Sequence, residues 1–383
     1  MHLGGLAMRL IKQKLGNYIE KVENRNTALK YGINDVRGIS NSKQIQQTKA
    51  DISERNFEKF QIVGNKNFVF NRRTTRMGEK IGLGFNNTGE EFIVTEDYVV
   101  FKVSDIEVIL PEYLFVFFNR PEFDRYSRWD SWGSATEFFN WGEMCDVSIT
   151  IPPLPIQQKY VDVYNAMLAN QQCYERGLED LKLVCDAYID KLKNSKTRVP
   201  IRKYVDLIEN KNLLNLPYKF KGLSMENFFI DSIADANGLD FTKYKIVSPD
   251  EYAAVLMKVG RDGRLTIARN TSDEYYLISP AYYTFKIRNI NPKYFMANVN
   301  RSEFERRGWF SCDTSARGSL SWDEFMELTI PEAIEEEQQI VSELYEAQTT
   351  RFWINEKLKS QIKDICPILI KGSIEEAKKL KEA

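Results

Sequence analysis

A chain that repeats itself in order is constrained to fold as like units, and this one does. YIEKVENRN at Tyr18–Asn26 returns as YVDLIENKN at Tyr204–Asn212, 186 positions later (204 − 18). One short echo is weak, so the test is whether it continues at a near-constant offset. NFEKFQIV from Asn56 returns as DFTKYKIV from Asp240, and YVVFKV from Tyr98 as YYTFKI from Tyr282, both displaced by 184 (240 − 56, 282 − 98). PEYLFVFFNRPEFDRY from Pro111 is matched by PKYFMANVNRSEFERR from Pro292, and Trp141 by Trp322, at 181 (292 − 111, 322 − 141). Each copy reaches an Ile-Pro step, Ile151-Pro152 and Ile330-Pro331, and then enters a long segment of helical character. The expectation is two tandem copies of one unit, each a globular part followed by a long helix. The YIEKVENRN and YVDLIENKN segments read as the entrance helix of each unit, kept for packing rather than contact.

The stretch after Pro155 has no proline and a single glycine for about 40 residues. Steps of four and three from Tyr160 reach Tyr164, Met167, Gln171, Tyr174, Leu178, Leu181, Cys185, Tyr188 and Leu192, a heptad seam. The same stepping from Ile340 reaches Leu344, Ala347, Arg351, Ile354, Leu358, Gln361, Ile365 and Ile368, with Pro367 expected to break the helix near its end. Two striped helices bury their stripes most simply against each other. An approximate two-fold between the copies makes that pair antiparallel, a spacer of up to roughly 60 Å at ~1.5 Å per residue. Ser321-Trp322-Asp323-Glu324 and Asn140-Trp141-Gly142-Glu143 read as capping boxes opening a short helix before each Ile-Pro step.

The expected fold class is α/β (α+β): two repeated globular domains joined by a long antiparallel two-helix coiled coil with pseudo-two-fold symmetry. The expected divisions are 1–153 for the first domain, 154–196 for the central helix, 197–331 for the second domain, 332–370 for the distal helix and 371–383 for a C-terminal tail. At 383 residues, with 43% hydrophobic residues, the chain can build real cores. No apolar run of membrane-spanning length exists, and the opening MHLGGLAMRLIKQKLG turns basic too soon for a signal peptide. Five cysteines without CxxC spacing, and His2 as the one histidine, argue against a zinc site or disulfide framework and fit a reducing cytosol.

The absence of histidine from the folded part excludes histidine triads and histidine acid/base pairs. GLGFNNTGEE lacks the Lys-Ser/Thr of a phosphate loop. NPKY at Asn291–Tyr294 has LPEY as its counterpart, which marks an ordinary turn into a helix. Charge is more informative. The net charge is −1, yet residues 9–80 hold 16 basic against 7 acidic residues while 81–150 hold 4 against 13. In the second copy, residues 196–270 hold 13 against 9. Such segregation suits one face for a polyanion.

FVFNRRTTRMGEKIGLGFN places Asn71, Arg72, Arg73, Thr74, Thr75, Arg76 and Lys80 on a loop after a strand-like FVF, the chemistry of phosphate clamping and bidentate guanine contacts. The matching stretch YAAVLMKVGRDGRLTIARN carries Lys258, Arg261, Arg264 and Arg269. A second candidate interleaves Arg125 and Arg128 with Tyr126, Trp129 and Trp132, and Arg306, Arg307 and Arg317 with Trp309. The bland readings are a basic hairpin for the first and core aromatics for the second.

Taken in order, the layout resembles the specificity subunit of type I restriction-modification systems. IPPLPIQQKYV at Ile151–Val161 looks like that family's step into the central helix, and EEEQQIV at Glu335–Val341 like the step into the distal one. FVFNRRTTRMGEKIGLGFN, YVVFKV and PEYLFVFFNRPEF are similar to one subtype of its target recognition domain. The second step, IPEAIEEEQ, departs by lacking the double proline, and Pro155-Ile156 stands where acidic residues are usual. The resemblance implies a non-catalytic, cytoplasmic protein without a cofactor of its own. Two target recognition domains would read a bipartite, asymmetric double-stranded DNA sequence, with the helices setting the unread spacer. Adenine-N6 methyltransferase (M) subunits carrying S-adenosylmethionine would dock on the helices, and restriction (R) subunits would join through them. Tyr164, Leu178, Leu181, Tyr188, Leu344, Ile354 and Leu358 are then the candidate helix-pair and subunit interface. The rival readings are a tandem-repeat scaffold whose two heads bind proteins and, third, an enzyme cutting DNA with an unrecognised carboxylate pair.

Overall fold

The computed structural model describes residues 12–48, 50–74, 80–133, 136–232, 238–257, 259–313 and 318–382. The helices are α1 (Pro111–Phe118), α2 (Pro121–Trp129), α3 (Trp141–Asp146), α4 (Leu154–Ser195), α5 (Val259–Asp262), α6 (Pro292–Val299), α7 (Ser302–Phe310), α8 (Trp322–Glu327) and α9 (Glu335–Glu382). The chain divides into two compact units, 1–173 with 355–383 and 174–354, so each unit takes in half of both long helices.

Unit 1 is built on an antiparallel sheet in the order Ile19–Val22, Tyr98–Val103, Phe68–Asn71, Leu83–Phe85. Its two central strands, Phe68–Asn71 and Tyr98–Val103, are buried on both faces. Phe68, Phe70, Val99 and Phe101 pack in the main core under α1 and α2, while Val69 and Val100 face a smaller cluster with Val63 and Val94. This two-sided burial is why FVF and YVVF are continuous apolar runs instead of alternating ones. Three antiparallel ribbons surround it, pairing Gln13–Lys14 with Ser148–Ile149, Arg37–Ile39 with Ile45–Gln47, and Gln61–Val63 with Phe92–Val94.

Unit 2 repeats the sheet in the same order, Val205–Ile208, Tyr283–Ile287, Tyr252–Val255, Thr266–Arg269. Its end ribbon joins Arg198–Pro200 to Thr329–Pro331. Its outer strands repeat too: Lys219–Leu223 pairs antiparallel with Phe229–Asp231 and parallel with Tyr276–Ile278, which pairs with Lys245–Val247, where unit 1 has two ribbons linked by the parallel bridge of Val36 with Ile93. The capping boxes stand where expected. The Asn140 N–H donates to Glu143 Oε2 at 2.9 Å ahead of α3, and the Glu324 N–H donates to Ser321 Oγ at 3.2 Å in α8.

The repeated opening segment is not a helix. Ile19–Val22 and Val205–Ile208 are edge strands. Their outward charged residues imitate helical amphipathicity, but each strand is only four residues long, and pairing with the central strand decides the outcome. The purpose of the echo lies at its end. The buried Asn26 accepts from the Tyr31 N–H at 3.1 Å and donates to the Tyr31 carbonyl at 2.8 Å. The buried Asn212 does the same with Leu216, at 2.9 and 3.0 Å.

A second repeated device explains the glutamine after each Ile-Pro step. Gln157 is buried in the first turn of α4; its Oε1 accepts from the Leu110 N–H at the start of α1, at 2.9 Å, and its Nε2 donates to the Val108 and Pro152 carbonyls. Gln338 in α9 accepts from the Asn291 N–H at the start of α6, also at 2.9 Å, and donates to Ala333. Each glutamine ties a long helix to its globular part. Gln157→Leu leaves these backbone groups unpaired and is expected to destabilise unit 1 by about 2–4 kcal/mol in urea unfolding. An unchanged midpoint would show that the tie carries no stability.

In each unit the long helices pair antiparallel. Unit 1 contributes Lys159–Glu376 at 2.8 Å and a buried Gln171–Asn355 hydrogen bond at 2.9 Å; unit 2 contributes Lys196–Glu337 at 2.9 Å and Arg351 over the Tyr174 ring at 5.0 Å. Close approach is helped by Gly177, where an added Cβ would lie 2.6 Å from the Arg351 guanidinium carbon. All ten residues of the α4 seam, Tyr164, Leu178, Leu181 and Tyr188 among them, are buried or half-buried.

The α9 seam is displaced from its expected register. Val341, Asn355, Ile362, Cys366, Leu369, Ser373 and Ala377 are buried, Leu344 and Leu358 are half-buried, and Ile340, Ile354 and Ile368 are exposed. Ile354 is therefore off the helix-pair face. The cause is chemical. The true seam uses Asn355 and Ser373, which a count of apolar residues rejects, and each is satisfied by a specific partner: Asn355 by Gln171, Ser373 by the Tyr113 hydroxyl at 2.7 Å. Nor does Pro367 end the helix, since α9 continues to Glu382 and the segment expected as a tail is helical. Losing one backbone bond at proline, about 3 kcal/mol, is offset by burial of Ile362, Cys366, Leu369 and Ile370 in the main core of unit 1.

Candidate nucleic-acid interface

In unit 1 the two stretches that stand apart in sequence form one surface. The strand Phe68–Asn71 delivers Asn71, Arg72, Arg73 and Thr74 at its end, where the Phe139 N–H donates to the Arg72 carbonyl at 2.9 Å and the Thr74 N–H to the Glu137 carbonyl at 3.1 Å. Trp132 and Phe138 exchange backbone hydrogen bonds at 3.0 and 2.9 Å, closing the loop that follows α2. The arginine loop and the tryptophan loop are thus laced together through their backbones.

Side chains divide by role. Asn71 Oδ1 accepts from the Arg73 N–H at 3.0 Å and shapes the turn, and Thr74 is buried. Arg72 lies 6.0 Å from the Phe138 ring centre and donates to the Asp97 carbonyl. Arg73 is half-exposed, 3.5 Å from Asp97; Arg128 pairs with Glu137; Arg125 is exposed with Glu122 at 3.6 Å. Lys80 is half-buried. Trp129 is 77% exposed and Trp132 67%, so these aromatics are not core, against the bland expectation. Thr75 and Arg76 lie outside the described residues.

Unit 2 makes the same junction. The Gly260 N–H donates to the Gly318 carbonyl at 2.7 Å, the Leu320 N–H to Leu256 at 2.9 Å, and the Trp309 indole N–H to the Gly260 carbonyl at 2.8 Å. Arg264, Arg306 and Trp309 line an open cleft of about 450 Å³ together with Lys182 of α4. Arg264 approaches Glu305 at 3.4 Å, whereas Arg306 has no ion-pair partner among the described residues. Lys182 escaped the sequence reading because it sits on a helix read only for its apolar stripe. Lys258 and Arg317 lie outside the described residues, as does the side chain of Arg261, which is on α5.

Two candidates belong elsewhere. Arg269 pairs in register with Tyr252, at the opposite end of the hairpin from the loop, and is held by Asp250 at 2.6 Å. Arg307 turns inward from α7, donating to Thr329 Oγ1 at 2.8 Å, and burial lowers its pKa. One position along a helix rotates a side chain by about 100°, which separates it from Arg306. Sequence proximity alone had grouped them.

Among the described residues no cluster of His, Cys, Asp and Glu is placed to hold a metal ion, and no helix is long and apolar enough to cross a membrane. Fold and surface together define a duplicated α/β protein in which each copy carries an arginine-bearing, aromatic-edged face. Among solved structures, the S subunit of a type I restriction-modification system from M. genitalium matches 95% of this chain and 95% of its own, with a TM-score of 0.55 at 10% identity. This chain has the fold of that S subunit. The HsdS subunit from Thermoanaerobacter tengcongensis covers 95% and 96% at 12% identity and a TM-score of 0.37. A structure concerned with assembly and conformational transition of the type I system covers 96% and 97% at 12% identity and 0.43. No protein-family model matches the sequence, and no curated protein does.

Proposed function

We propose that the chain is the non-catalytic DNA-specificity subunit of a type I restriction-modification assembly. The observation that carries this is the lacing of an arginine loop to an aromatic loop in both units of a chain with the S-subunit fold. Each unit reads one half of a bipartite DNA target. Arg72, Arg73 and Arg125 in unit 1, and Arg264, Arg306 and Lys182 in unit 2, supply the phosphate and base-edge contacts. The paired helices fix the unread gap and dock adenine-N6 methyltransferase subunits, which bring S-adenosylmethionine; restriction subunits join through these. Splitting recognition over two tethered readers raises affinity through effective concentration, and a fixed gap rejects wrongly spaced sites.

The test is a salt titration of the full chain on a mixed-sequence duplex. A DNA reader loses affinity steeply with salt, by about 10²-fold or more between 50 and 200 mM, as counterions return to the phosphates. Arg73→Ala is expected to weaken binding and to lower the log–log slope by about 1. A flat salt response would instead favour a scaffold for protein partners. Co-expression with methyltransferase subunits from the same genome, followed by mapping of N6-methyladenine, is expected to return a split motif with one fixed gap.

A further inference from the structure

The last residue of α2 is Trp129 and the last residue of α7 is Phe310, at equivalent positions of two nine-residue helices 181 residues apart (310 − 129). Phe310 is 85% exposed, comparable with Trp129. Leaving so large an apolar ring in water costs free energy that a smaller or polar residue would avoid. Both units nevertheless keep one there, with different ring chemistry. Four residues earlier, on the same helix face, stand Arg125 and Arg306. Each helix therefore ends in an arginine-and-ring pair that the fold does not need for its core.

The surroundings indicate what the pair meets. Trp129 leads directly into the loop that is laced to Arg72 and Arg73 through Phe138 and Phe139. Phe310 follows Trp309, whose indole N–H is bonded to Gly260 of the other loop, and Arg306 shares its cleft with Lys182 and Arg264. The ring in that cleft is Trp309, while Trp129 and Phe310 each follow an arginine by one helical turn; cationic groups beside exposed rings suit a strand whose backbone is anionic and whose bases have open π-faces.

We propose that Trp129 and Phe310 are wedges that stack on unpaired or unstacked bases of the bound duplex, with Arg125 and Arg306 holding the adjoining phosphates. This rests on the DNA-reading function and adds a mechanism to it: each unit distorts the duplex it reads. An inserted ring replaces lost base stacking, so it lowers the cost of opening a step. A base that must leave the stack for methylation becomes easier to extrude beside such a step.

The experiment compares the full chain on two 40-base-pair duplex pools with randomised flanks, one fully paired and one with a central abasic site. A wedge gains more from the pre-opened duplex, so the wild type is expected to prefer it by about tenfold, the scale of one base–aromatic stack. Trp129→Ala together with Phe310→Ala is expected to abolish the preference without changing the salt slope, and Trp129→Phe to retain it in part. Arg125→Ala with Arg306→Ala is expected to lower the slope by about 2 while keeping the preference. Salt-dependent binding with no preference in the wild type, or a preference that survives loss of both rings, would overturn the wedge and leave DNA reading standing. A wild type without salt-dependent binding would remove the DNA-reading function itself. Alanine variants that bind both pools like the wild type but no longer retain their methyltransferase partners would overturn the wedge and make these rings a protein contact.

Discussion

Val341→Asp is expected to unfold unit 2, while Ile340→Asp, one residue earlier, leaves it folded. Val341 is wholly buried in a cluster with Cys185, Ile189 and Leu192 of α4, whereas Ile340 is 43% exposed. The buried substitution removes a side chain's transfer free energy and places an unpaired carboxylate among apolar groups, together about 4 kcal/mol or more. The exposed substitution changes only a partly solvated surface, about 1 kcal/mol or less. Urea unfolding of the full chain followed by calorimetry reads both. Equal losses at the two positions would mean that the α9 seam lies on neither register.

Asp124→Ala is expected to destabilise unit 1 by about 3–5 kcal/mol, the range for removing one partner of a buried ion pair. The Lys43 ammonium lies beside Asp124 Oδ1 at 2.5 Å with both side chains almost fully buried, and the Ile81 N–H, next to the arginine loop, donates to the same oxygen at 3.4 Å. Burial pulls the Lys43 pKa down while Asp124 pushes it up. Without the carboxylate, Lys43 must either remain charged in an apolar site or release its proton. A Lys43→Met, Asp124→Leu double variant removes both charges and is expected to recover most of the loss. If the double variant is no more stable than Asp124→Ala, the cost came from packing and not from the stranded charge. Because Asp124 also holds Ile81, the single variant is expected to loosen the candidate interface, visible as faster amide exchange at Ile81.

Much of this architecture was legible before any coordinates. The repeat predicted the order of elements in both units, since offsets held within 181–186 residues could not persist unless the same supersecondary parts recurred. The α4 seam was legible because nearly all its positions are apolar. The α9 seam was not, because Asn355 and Ser373 are polar residues buried through specific hydrogen bonds, while Ile340, Ile354 and Ile368 are apolar residues left in solvent. Hydrophobic pattern records average preference and cannot record a partner.

The amino-acid order alone determined that the molecule is two like α/β units carrying two long helices, and that arginines cluster in two stretches of each copy. It determined this because periodicity and repetition are properties of neighbours along the chain. Tertiary structure decided that the opening echo is an edge strand, that Pro367 lies inside a continuous helix, and that Arg307 and Arg269 leave the candidate surface while Lys182 enters it. It also decided that the arginine loop and the aromatic loop are one face. These outcomes depend on pairing between residues far apart in the chain, 63 positions for Thr74 with Glu137 (137 − 74) and 84 for Ile19 with Val103 (103 − 19). Such pairings are settled by the total free energy of strands and cores, to which no local stretch has access.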